Sequence, residues 1–234
     1  MKTLLFTLGL FTSILTLGQN CRCDQDTMLK ELIPCNPKYL KNNSKLYWSF
    51  NCDSSWLTFE NSKGYKKVIF SLGDGLVDLT TRLGHIYFTE YKTSFLFTNT
   101  VISGCCAPVD YYLYDKASGN LIKYLGRAIF VSEDKKFPIL VSVTNSNYDT
   151  TSTTDYNSLT IYNLDNNKKY KITIPKGEIE KGMRNNEFMF PEDVFETPII
   201  ENNKLILKYS TEKYRKGKQL KYKTINIDLK KYSS

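Results

Sequence analysis

The chain has 234 residues, 32 Lys or Arg against 24 Asp or Glu, a single His, six Cys and a net charge of +8. That length suits one core, and a lone histidine rules out a histidine-rich zinc site. There is no G-x-S-x-G elbow, and Gly73-Asp74-Gly75 is a turn with no helix pattern after it, so neither an α/β-hydrolase nor a nucleotide loop is supported.

Residues 1–18 carry Lys2 and then an apolar run broken only by Thr, Ser and Gly. This is the pattern of a secretory signal peptide, and it predicts a chain that is secreted or periplasmic after cleavage. Asn20 precedes Cys21, where lipidation of that cysteine would need a small residue. No later stretch is long and apolar enough to make a transmembrane segment.

Export sets how the cysteines are read. Cys21, Cys23, Cys35, Cys52, Cys105 and Cys106 are an even set in an oxidising compartment, which predicts disulfides. Adjacent Cys105 and Cys106 pair only through a strained ring, so each is expected to pair elsewhere. The economical arrangement has residues 19–43 as a cysteine-containing arm stapled to the body. The alternative, a soft-metal thiolate site, lacks any C-x-x-C pair or nearby histidine. Neither a metal nor a cofactor is expected. Within the arm, residues 26–33 predict two helical turns stopped by Pro34.

From residue 44 onward the pattern is β. Short runs of aromatic and β-branched residues alternate with Gly-, Asn- and Asp-rich segments, as at 86–88, 95–97, 111–114 and 121–125. Asp115, Ser118 and Gly119 give the last pair a turn with a mechanism: two side chains that bond local backbone, and a residue tolerant of positive φ. The layout then recurs. Leu125-Gly126-Arg127-Ala128-Ile129-Phe130 repeats Leu83-Gly84-His85-Ile86-Tyr87-Phe88, and Ser44 opens a similar unit 40 residues before Gly84. The prediction is a single all-β domain over 44–234 made of antiparallel, repeated four-stranded units starting near 44, 84, 126 and 175. This layout resembles the blades of a β-propeller, without a Trp-Asp or Kelch signature; a β-sandwich is the alternative.

Candidate chemistry is sparse. Trp48 and Trp56 read as core filler in alternating strands. His85 has a polar counterpart in Arg127 and reads as structural. The carboxylate pairs Glu133-Asp134, Glu178 with Glu180, and Glu192-Asp193 read as exposed charge. Charge is concentrated at the end: residues 204–234 hold ten basic and two acidic residues. They predict a hairpin of strands 205–210 and 220–229. Lys213, Arg215, Lys216 and Lys218 sit at its turn as the candidate binding residues for an anionic surface, polysaccharide or protein, or else as a solvated edge. Export argues against nucleic acid. The function expected is an exported binding or interaction module of the cell envelope or extracellular space. The alternatives are a carboxylate-dependent hydrolase with a propeller-like channel, or a secreted enzyme inhibitor acting through the polar loop 148–157.

Overall fold

The computed structural model of the chain describes residues 27–73, 75–100, 109–145, 154–214 and 219–232. The described fold is all-β, with four antiparallel sheets and few helices. The first sheet runs β1 (Lys38–Tyr39), β2 (Lys45–Phe50), β3 (Ser55–Glu60), β4 (Lys66–Leu72) in spatial order. The second runs β5 (Tyr87–Glu90), β6 (Ser94–Thr100), β7 (Val109–Asp115), β8 (Leu121–Gly126). The third holds β9 (Phe130–Val131), β10 (Ile139–Thr144), β11 (Asp155–Asn163) and β12 (Lys169–Thr173). The fourth has three strands, β13 (Ile199–Glu201), β14 (Lys204–Tyr209) and β15 (Lys223–Asp228). Each sheet is an up-and-down meander in chain order, and every pair of neighbouring strands in it is antiparallel.

The sheets pack face to face in the same order. In β6, Phe95 and Phe97 face the first sheet, among Leu46, Trp48, Phe50, Leu57 and Phe59. Leu96, on the opposite face, joins Leu113, Leu125, Leu140 and Leu164, bridging the second and third sheets. The largest cluster joins β10 and β11 to Leu205, Leu207, Tyr209 and Ile227 of the fourth sheet. Alternation puts successive side chains on opposite faces, so a strand sandwiched between two sheets is buried along its length. That is why Ile139, Leu140 and Val141 are all fully buried. The fourth sheet differs: Lys204, Lys208, Thr224 and Asn226, on its far face, are exposed.

A repeated hydrogen bond relates the first two sheets, and it matches Ser44 to Ser94 where the sequence repeat set Ser44 against Gly84. Ser44, at the start of the first sheet's second strand, donates Oγ–H to the Lys116 carbonyl in the β7–β8 turn (3.3 Å). Ser94, its counterpart in the second sheet, does the same to the Leu164 carbonyl in the β11–β12 turn (2.5 Å). Both serines are buried, so each bond satisfies groups that water cannot reach. The β7–β8 turn is tight: Gly119 has φ +66°, and a Cβ there would overlap the Phe59 ring of the first sheet.

Among the described residues, three α-helices accompany the sheets. α1 (Thr27–Leu32) falls where two helical turns are expected before Pro34, and it buries Leu29. α2 (Thr80–Leu83) and α3 (Glu178–Asn186) are not anticipated by the sequence reading, and α3 corrects it. This helix lies near the start of the fourth unit, whose sheet has three strands where four are expected. α3 starts after Gly177 in the left-handed region, places Glu178 and Glu180 in its first turn and Arg184 in its last, and so complements the helix dipole at both ends. Gly182 at its centre permits close approach, since a Cβ there would lie 2.7 Å from Val194 Cγ1. The predicted C-terminal hairpin is present as β14 and β15, with its second strand shorter than the 220–229 expected. Among the described residues, no helix is long and apolar enough to cross a membrane.

Candidate binding cleft

Lys213, from the predicted basic turn, lines a cleft of about 560 Å³ in the fourth unit. Arg215, Lys216 and Lys218 lie outside the described residues, as do Cys21, Cys23, Cys105 and Cys106 and loop positions 148–153. Cys35 packs half-buried against the core between the first two sheets, and Cys52 is exposed between β2 and β3. Among the described residues there is no grouping of three His, Cys, Asp or Glu suited to a metal.

The cleft is built from three segments. One wall is the end of α3, which stops at Glu187 in the left-handed conformation (φ 58°) and turns Phe188 toward the opening. The floor is the 3₁₀ turn Pro191–Val194, followed by Glu196. The other wall is residues 210–214 with Leu220 and Tyr222. Two asparagines tie the walls together. Asn185 Nδ2 donates to the Thr211 carbonyl (2.6 Å). Asn186 Nδ2 donates to the Glu212 carbonyl (3.1 Å), and its Oδ1 accepts the Tyr214 amide (2.9 Å). Tyr222 donates its hydroxyl to Glu196 Oε1 at 2.9 Å. Much of the polar lining is thus spent on the wall itself, which fixes the shape of the opening.

Rings stand at the rim. Tyr214 is 66% exposed, Tyr222 45% and Phe188 38%. Exposed aromatics gathered around one cleft cost solvation in the free protein and invite a partner with an apolar face. Acid lies deeper. Burial raises the pKa of Asp193, and the nearby charge of Arg127 pulls against that rise.

Behind the floor sits Arg127, the counterpart of His85 in the sequence repeat. Its guanidinium stacks on the Phe190 ring at 3.4 Å from the centroid. Arg127 is buried, and so is Asp110 on β7, whose carboxyl burial pushes up while a Tyr124 hydrogen bond and the Arg127 charge hold it down. An arginine with a face on an aromatic ring and an acid nearby is held in one geometry, and it anchors the 3₁₀ turn to the second and third sheets.

His85 occupies the equivalent place one unit earlier and is structural in its surroundings. It is buried and stacked on Phe70 (4.1 Å between centroids) and Phe97 (4.7 Å). Tyr114 donates its hydroxyl to the Ile69 carbonyl, so the 3.2 Å contact with His85 Nε2 makes the ring nitrogen the donor. Burial drops its pKa to about 3, so the ring is neutral across the physiological range. Trp48 is buried as core filler, and Trp56 is half-buried. Of the carboxylate pairs, Glu192 is buried rather than exposed, a correction to the surface reading; it lies within the 3₁₀ turn. Glu178 is likewise engaged, bonded by Tyr209 and Lys223.

No family model matches the chain, and no curated protein matches it.

Proposed function

We propose that this protein is an exported binding module, carrying a cleft in its fourth unit that receives a saccharide. The observation that carries the reading is the ring-rimmed cleft: Phe188, Tyr214 and Tyr222 offer flat apolar faces, with Asp193, Glu196 and Lys213 beside them as hydrogen-bonding groups. Sugar rings present C–H faces for stacking and hydroxyls for those polar groups. Pockets that bind small molecules combine the same two features. Export is supported by the leader-like residues 1–18, and disulfide pairing by the even cysteine count.

The propeller-like arrangement belongs to the same proposal. It is supported by sheets that each meander in order and stack in order. The polar far face of the fourth sheet favours a stack left open there.

Binding of the mature protein to soluble oligosaccharides prepared from envelope polysaccharide tests the cleft. Tyr214→Ala with Tyr222→Ala is expected to weaken binding by about 30-fold or more, at roughly 1 kcal/mol or more for each lost ring contact. Undiminished binding by that double variant would overturn the assignment of the site. A hydrolase is the second reading, favoured by the raised carboxyl of Asp193 sharing the cleft with Glu196. It requires new reducing ends to accumulate with the wild type and not with Asp193→Asn.

A further inference from the structure

We propose that a second site, separate from the cleft, binds a tetrahedral dianion, a phosphate or sulfate group, in a lysine-lined hollow where turns of the first three sheets meet. The hollow has a volume of about 540 Å³. Lys41 comes from the β1–β2 turn, Lys92 from the β5–β6 turn, Lys116 from the β7–β8 turn and Lys135 from the β9–β10 connection. The repeat explains the convergence. Equivalent turns lie at one end of each sheet, and stacking brings their tips together.

Two carboxylates also face the hollow, and both are engaged by the protein. Glu90 pairs with the buried Lys116, and its Oε1 accepts the Lys41 amide at 2.8 Å. Lys116 Nζ donates as well to the Tyr91 carbonyl at 3.0 Å. Asp165 Oδ1 accepts the Lys92 amide at 2.6 Å, and its carbonyl accepts the Thr93 hydroxyl at 2.5 Å. These bonds fix the walls. Burial raises the Glu90 pKa, and the bonds from Lys116 and the Lys41 amide outweigh it, so the carboxyl stays ionised. Among the described residues, no ion pair engages the ammonium of Lys41, Lys92 or Lys135.

Charge then selects the ligand. Four ammonium groups against two carboxylates leave a surplus of two positive charges in one concave space. A concave wall focuses that field. A dianion of phosphate or sulfate size neutralises it, where a single carboxylate leaves half of it standing. The oxygens of such a group also match several ammonium donors at once.

Isothermal titration of the full mature chain with sodium phosphate, and separately with sodium sulfate, tests this at constant ionic strength maintained with sodium chloride. Saturable one-to-one binding of either anion is expected, and the preferred one identifies the group. Lys92→Gln and Lys135→Gln, made singly because both side chains are exposed and unpaired, are each expected to lower affinity by about tenfold. Tyr214→Ala is expected to leave anion affinity unchanged, which separates this site from the cleft. Absence of saturable binding by both anions, or wild-type affinity retained in both lysine variants at an unchanged unfolding midpoint, would overturn the proposal.

Discussion

Phe95→Ala is expected to destabilise the protein by about 3–5 kcal/mol, the range for truncating a fully buried aromatic ring. Phe95 has no exposed surface and touches four other rings. It is stacked on Phe59 at 6.0 Å and on Tyr114 at 5.4 Å, and meets Phe88 and Phe97 edge-on. Phe59 belongs to the first sheet and the other rings to the second, so the cavity would open at the junction of the two. A neighbouring aromatic that touches little makes the control. Tyr87, 73% exposed on β5, should change stability by no more than about 0.5 kcal/mol when replaced by alanine. Urea unfolding of both variants measures the contrast. Equal, small losses would mean that the first two sheets do not share this core.

The second large effect is a dependence on pH centred on His85. Its folded pKa lies near 3, against an ordinary value near 6.5 in the unfolded chain. The unfolded state therefore binds a proton that the folded state refuses. Stability from this group is fully present above about pH 6.5 and is lost as pH falls toward 3. Between pH 7 and pH 4.5 the loss is about 2.5 kcal/mol. The groups facing the ring are Phe70, Phe97, Tyr112 and Tyr114, none of which carries charge in that window. Glu90 and Glu178, whose pKa values are lowered, add their own loss of stability at lower pH, while Asp110 and Asp193, which are raised, work in the opposite direction. The comparison must therefore be between the wild type and His85→Leu, which shares every carboxyl. The variant should show a much flatter decline from pH 7 to 4.5. A decline as steep as in the wild type would show that His85 is not the group responsible.

Most strands were legible because their chemistry is local. Runs such as Phe95-Leu96-Phe97 and Tyr111 to Tyr114 announce themselves, and the Asp115–Asn120 segment has side chains that make its turn: Asp115 Oδ1 accepts the Ala117 and Ser118 amides. The repeat of Gly84-His85 in Gly126-Arg127 was also visible, and both polar residues prove to be buried on aromatic rings. α3 was not legible. Its apolar residues are few, Gly182 interrupts it, and the reason for that glycine is Val194, on a segment the helix pattern does not include. Gly177 and the acids after it were the available signal.

The sites were less legible than the fold, for a physical reason. The basic run around Lys213 stood out because like charges adjoin in sequence. The rings that share its cleft come from positions 188, 214 and 222, and the acids from 193 and 196. Only packing of α3 against the C-terminal hairpin brings them together. The lysine hollow is more dispersed still, drawing Lys41, Lys92, Lys116 and Lys135 from separate turns. No window of sequence contains that pattern, because stacking of the sheets creates it.

An exported, stapled binding module makes one claim that a single measurement reaches directly: the intact mass of the protein recovered outside the cytoplasm, with and without reduction. The account predicts a chain lacking the first 18 residues, carrying no lipid, and gaining on reduction the hydrogens of three disulfides from its six cysteines. Recovery of the full-length chain inside the cell, with all cysteines free, would contradict it.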